Sequence, residues 1–180
     1  MSQRKFLMNY GAILGLLLVL VAVLQRAMGI IDLENPTLVL TVNTFLIAAV
    51  LLFSIQKYRD LINNGFISYS QSVKVGVSIT VFSSIIFGFW KIVLINYIDT
   101  DYSTLAIQKQ QQMILELDNT MPGFIDNIDQ KLDDIENNLA SQYRPHTIMI
   151  NEIISKAIGG LILSLIIAFF TTKKNPEILI

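Results

Sequence analysis

The feature that most constrains this chain is a set of four apolar runs, each long enough to cross a lipid bilayer. A hydrocarbon core about 30 Å thick takes roughly 20 mostly apolar residues in a helix. The runs cover about 7–29, 38–56, 73–98 and 148–170, and include "GAILGLLLVLVAVL", "LVLTVNTFLIAAVLLFSIQ" and "IGGLILSLIIAFF". Inside hydrocarbon every backbone N–H and C=O must be paired within the segment, and an open strand edge fails that requirement. Each run is therefore predicted to be a helix. Composition agrees: 53% of residues are hydrophobic, 15% are charged, and mean hydropathy is +0.56, against about 25% charged in average usage. Lipid takes the place of the polar coat that a soluble domain needs.

Charge is segregated along the chain. Residues 99–148 hold nine Asp/Glu against three Lys/Arg, while the remainder holds ten Lys/Arg against five Asp/Glu. Lys and Arg close to span ends set orientation. Arg4 and Lys5 precede the first run; Lys57, Arg59 and Lys74 lie between the second and third; Lys173 and Lys174 follow the fourth. With four crossings these seven fall on one face. The expectation is that both termini and the 57–72 loop are cytoplasmic and residues 99–147 lie on the opposite side. Arg4 and Lys5 before an apolar stretch also suggest a signal peptide, but the stretch is long for one and no small-x-small cleavage site follows it. It is read as an uncleaved first span. The basic residues form no stripe interleaved with aromatics, so no nucleic-acid partner is expected.

The predicted fold class is all-α: an integral membrane bundle of four transmembrane helices with an extracytoplasmic helical hairpin between helices 3 and 4. The predicted divisions are 1–98 (three spans with a cytoplasmic loop at 57–72), 99–147 (the acidic hairpin) and 148–180 (the last span and a cytoplasmic tail). In the hairpin, "MPG" at 121–123 breaks one helix and "FIDNIDQKLDDIENNLASQY" starts another. Phe124, Ile128, Leu132, Ile135 and Leu139 recur at helical spacing as one apolar stripe. "RPH" at 144–146 reads as a hinge.

Small residues recur every four positions within the spans: Gly11 and Gly15 in the first, Gly76, Thr80, Ser84 and Gly88 in the third, and Gly160, Ser164 and Ala168 in the fourth. In lipid such ridges let helix backbones approach closely, so they are read as helix-packing surfaces. Ionisable groups inside spans are costly. Lys91 next to Trp90 is read either as an interfacial anchor or as a paired charge. Gln25 and Arg26 are expected to reach the outer headgroups. Glu152 and Lys156, one turn apart, are expected to pair. Asn43 is expected to make an interhelical hydrogen bond. In the loop, Asn63, Asn64 and Gly65 suit a turn with positive φ, and Ser70, Gln71 and Ser72 suit a cap for the third helix.

Chemistry is sparsely provided. With no cysteine there is no thiolate metal site or cysteine nucleophile. His146 is the sole histidine, and Asp126, Asp129 and Asp133 lack the loop geometry calcium prefers. No catalytic residue, cofactor or metal is expected, and the chain is read as not an enzyme.

Four elements in order carry a resemblance: "NYGAILGLLL", "YRDLINNGFISYSQSVKVGV", "INYIDTDY" and "GGLILSLIIAFFTTKKNP". They are similar to a family of bacterial membrane proteins, mostly from Bacteroidota, labelled domain of unknown function 4199. The resemblance implies four spans, inner-membrane residence and a long charged segment before the last span. It marks Tyr58, Arg59, Gly65, Phe66, Ser68, Lys74 and Gly76 as signature positions, and it departs where many members have two glycines and this chain has Asn64-Gly65. Its context implies proximity to polyprenol-dependent glycosyltransferases. The functional expectation is a non-catalytic scaffold or accessory subunit that contacts membrane lipid and either another copy of itself or another membrane protein, such as a glycosyltransferase. The alternative is a small oligomeric transporter or lipid-handling protein.

Overall fold

A computed structural model describes residues 2–123 and 125–173. Among these residues are six α-helices: α1 (Gln3–Ala27), α2 (Pro36–Ile62), α3 (Tyr69–Val93), α4 (Tyr102–Thr120), α5 (Ile128–Gln142) and α6 (Pro145–Thr171). A π-helical turn, Leu94–Ile98, follows α3. Four of these helices are long and apolar enough to cross a membrane: α1, α2, α3 with its π turn, and α6. The last begins at Pro145, and Tyr143 and Arg144 make the short turn into it from α5. Pro suits that first position because its missing N–H has no helical partner there.

The helix ends follow local chemistry. The Ser2 side chain caps α1 by accepting from the Lys5 N–H at 3.4 Å. Pro36 opens α2. Asn64 at φ 51° and Gly65 at φ 84° end it, the left-handed geometry that Asn and Gly tolerate best.

The chain divides into two compact units, residues 1–88 with 151–180, and residues 89–150. In the first unit α3 is the central helix. Of its most apolar window, 39% is buried, against 17–22% for the other three long helices. Against α1 it presents Ile79, Phe82, Ser83 and Ile86 around Gly11 and Gly15; a Cβ at Gly15 would sit 2.8 Å from Ile86 Cβ and 3.0 Å from the Ser83 carbonyl oxygen. Against α2, Ile55 reaches the Gly76 position. Phe6 and Tyr58 join α1 to α2 edge-to-face at 5.4 Å. Phe6, Leu14, Leu18, Leu51, Ile55, Ile67 and Ile79 make up the core, each fully buried. Outside that core the four long helices show an apolar surface, with Leu16, Leu40, Phe45, Ile158, Ile166 and Phe169 all exposed. A surface of that kind is stable in lipid and unstable in water.

In the second unit, Ile135 of α5 is buried and Ile128, Leu132 and Leu139 are half-buried; Phe124 lies outside the described residues. The Gln111 side-chain amide of α4 donates to the Leu132 carbonyl at 3.4 Å. The Tyr102 and Tyr143 rings meet edge-to-face at 5.7 Å. Helices α4 and α5 thus run beside each other in opposite directions, with Ile135 buried between them among the described residues of the stripe.

Candidate functional site

The most elaborated region of the first unit is the loop between α2 and α3 together with the α3–α6 seam beneath it. The seam is antiparallel. A Cβ placed on Gly160 would sit 2.7 Å from Thr80 Cβ, and one on Gly76 would sit 2.8 Å from Ser164 Cβ. Each glycine therefore faces a hydroxyl residue on the opposite helix, and the two small-residue ridges interlock. Further along the seam the Thr171 and Ser72 hydroxyl oxygens lie 3.5 Å apart, and Ala168 is fully buried. Ser84 and Gly88 are also buried on the α3 side.

The hydroxyls of the seam spend their hydrogen bonds on their own helices. Thr80 donates to the Val77 carbonyl at 2.9 Å, Ser83 to Thr80 at 2.8 Å, Ser84 to Val81 at 2.6 Å and Thr171 to Ile167 at 3.0 Å. Such back-bonding satisfies a polar group in lipid without a partner helix. Ser164 Oγ is buried without a hydrogen-bond partner. Towards the start of the α6 part of the unit, Lys156 pairs with Glu152 at 2.8 Å and places its ammonium 4.2 Å from the Phe87 ring centre.

The loop is tied down from three directions. Ile67 and Lys173 exchange two backbone hydrogen bonds of 3.0 Å, which fastens the end of α6 to the loop. Tyr58 is buried, its ring on Phe6 and its hydroxyl accepting from the Gln3 amide. Gln71 Oε1 accepts from the Asn63 side-chain amide, the Ser68 backbone N–H and the Ser68 hydroxyl, at 3.2, 3.2 and 3.3 Å. In return the Ser68 side chain accepts from the Gln71 backbone N–H at 3.2 Å. This is a reciprocal capping box, with Ser68 as the cap and Gln71 reaching back. The cap is therefore Ser68, not Ser70 or Ser72. The Ser-x-x-Gln spacing is the sequence signal for it, and Gln71, Asn63 and Lys173 are the residues that the signature positions leave out.

Arg59 holds Asp60 through two contacts, 2.8 and 3.3 Å. Phe66 lies under the Lys173 ammonium at 5.8 Å, Gly65 supplies the positive φ, and Lys74 is exposed. Two polar residues behave differently from expectation. Gln25 is buried and its Nε2 has no hydrogen-bond partner, and Asn43 Oδ1 is buried and accepts no bond from another helix.

Among the described residues no group of three His, Cys, Asp or Glu is placed to hold a metal ion. Four long apolar helices, packed through glycine and hydroxyl ridges and clad in exposed aliphatic and aromatic side chains, define a multi-pass, all-helical membrane protein. Over residues 9–173 the chain matches the family described as protein of unknown function (DUF4199). It belongs to that family. No curated protein and no solved structure matches it.

Proposed function

We propose that this chain is a non-catalytic inner-membrane scaffold or accessory subunit, working through helix–helix contacts and the α4–α5 hairpin. The observation that carries this reading is the use made of polar groups in the spans. The hydroxyls of Thr80, Ser83, Ser84 and Thr171 are turned back on carbonyls of their own helices, and Lys156 is held by Glu152. Catalysis needs titratable groups converging on one reacting atom; here the convergence is of small side chains that lock helices together. Both termini and the capped loop face the cytoplasm in this proposal, and residues 99–147 face the periplasm. The basic loop and acidic hairpin support that orientation through the distribution of Lys and Arg. The loop is a pre-organised docking element, since its backbone is fixed by Gln71 and Lys173 before any partner arrives. A polyprenol-dependent glycosyltransferase is the partner class proposed, with a second copy of the chain as the other.

Purification from native membranes in mild detergent, with mass spectrometry, should recover a stoichiometric membrane partner or an oligomer. A monomer that cross-links to nothing would remove the scaffold reading. The alternative is a small oligomeric transporter or lipid-handling protein. An open pocket of about 470 Å³ lies at the start of α2, lined by Glu34, Asn35, Pro36, Thr37, Leu38 and Thr41. Transport of a solute by reconstituted protein would move the conclusion to that class.

A further inference from the structure

Helix α2 is packed along only half of its length. Thr37, Thr41, Thr44, Ala48, Leu51, Ile55 and Tyr58 follow one another at steps of 4, 3, 4, 3, 4 and 3, and so share one face of the helix. Over the second half that face is covered: Leu51 and Ile55 are fully buried and Tyr58 is 2% exposed. Over the first half it is open: the three threonines are exposed, Ala48 is half-buried, and no residue of α2 before Leu51 is buried. The pocket of about 470 Å³ lies where the open face begins, with Thr37 and Thr41 in its wall. Its mouth offers both signs of charge. Glu34 is the one ionisable residue in the lining. The Asn35 side chain makes no cap bond, and the Val39 N–H donates to the Asn35 carbonyl at 3.1 Å, so the N–H groups of Thr37 and Leu38 are left without a helical acceptor. Deeper along the face the surface turns apolar, since Thr41 spends its hydroxyl on the Thr37 carbonyl at 2.7 Å and leaves its methyl for contact.

We infer that the open half of this face binds one molecule of phosphatidylethanolamine. Its ammonium lies on Glu34, its phosphate at the Thr37 and Leu38 N–H groups, and one acyl chain along Thr41, Thr44 and Ala48. Size and charge select this occupant. A helix about 10 Å across would fill roughly 800 Å³ over about 10 Å of the face, more than the pocket holds. A hydrocarbon chain about 4 Å across takes roughly 130 Å³ over the same length. The start of a helix favours an anion, whereas the Glu34 carboxylate favours a cation, so a zwitterionic headgroup satisfies both and an anionic one leaves Glu34 opposed. The inference requires only that α2 cross the bilayer. It goes beyond the scaffold reading, which the loss of this lipid would leave standing.

The test is native mass spectrometry of the full chain in a non-ionic detergent, after adding phosphatidylethanolamine, phosphatidylglycerol or the soluble headgroup phosphoethanolamine. Phosphatidylethanolamine should be retained over phosphatidylglycerol, and phosphoethanolamine should not displace it. Thr44→Trp places a ring where the acyl chain would lie and should weaken retention by about tenfold or more, the loss of two or more buried methylenes. Ile166→Trp, at a position 56% exposed on α6, should leave it unchanged. If Thr44→Trp does not fold, Glu34→Gln decides, because Glu34 is exposed and outside the packed half of α2: the preference for phosphatidylethanolamine should fall by about two- to fivefold. Equal retention of the two lipids, displacement by phosphoethanolamine, an unaffected Thr44→Trp variant or an unchanged preference in Glu34→Gln would each overturn the proposal.

Discussion

Gly160→Leu is expected to abolish the folded bundle or to cost about 3 kcal/mol or more, while Gly159→Ala, one residue away, is expected to be harmless. The contrast rests on what each glycine faces. At Gly160 the first added carbon already meets Thr80 Cβ and Cγ2 at 2.7 Å, closer than van der Waals contact allows. Thr80 is fully buried and β-branched, so its χ1 has little freedom to move aside. Relief requires the helices to separate, and that strips the seam of its packing. Overpacking a well-filled core typically costs about 1–3 kcal/mol and more when the backbone must shift. At Gly159 a Cβ meets nothing within 4 Å, and Ala in place of Gly in a helix gains about 0.5–1 kcal/mol. Thermal retention in detergent followed by size-exclusion chromatography reads both. A second substitution sharpens the test: Gly160→Ala should be partly rescued by Thr80→Gly, because the two share one contact. Independent, additive losses would show that the helices do not meet there.

Glu152→Leu is expected to be the most damaging single change to a charged residue. Glu152 is 9% exposed and lies 2.8 Å from Lys156. Its removal leaves the largely enclosed Lys156 ammonium, 4.2 Å from the Phe87 ring centre, without its carboxylate. Breaking one side of a buried ion pair typically costs about 3–5 kcal/mol, because the orphaned charge stays desolvated. Replacing both charges, Glu152→Leu with Lys156→Met, removes the orphan and should recover at least half of that loss. The same thermal assay gives the coupling. If the double variant is as unstable as the sum of the single ones, the pair does not act as a unit.

The spans and the hydrophobic stripe of α5 were legible because each depends on a local quantity, the length or period of an apolar run. The turn at Asn64 and Gly65 was legible for a similar reason, since few residues tolerate positive φ. The partner assignments across the seam were not. A ridge of small residues every four positions looks the same after a slide of one turn, so Gly76 opposite Ser164 is fixed only by the other contacts of the bundle. The cap is a different case: of Ser68, Ser70 and Ser72 only Ser68 has Gln three residues on, the capping-box spacing, so that signal stands in the sequence. Gln25 ends an apolar run and so reads as reaching for headgroups; its burial is set by neighbours that a single helix does not reveal. The candidate site was therefore visible as a stretch of sequence, and its architecture was not.

The central claim is that four helices cross the bilayer and place the capped loop and the acidic hairpin on opposite sides. The chain has no cysteine, so single substitutions label without background. Ser70→Cys and Gln130→Cys are both at exposed positions and can be treated with a membrane-impermeant maleimide in intact spheroplasts and again after lysis. The account predicts that Gln130→Cys labels in intact spheroplasts and that Ser70→Cys labels only after lysis. Labelling of Ser70→Cys with protection of Gln130→Cys would invert the map, and labelling of both before lysis would contradict the four crossings.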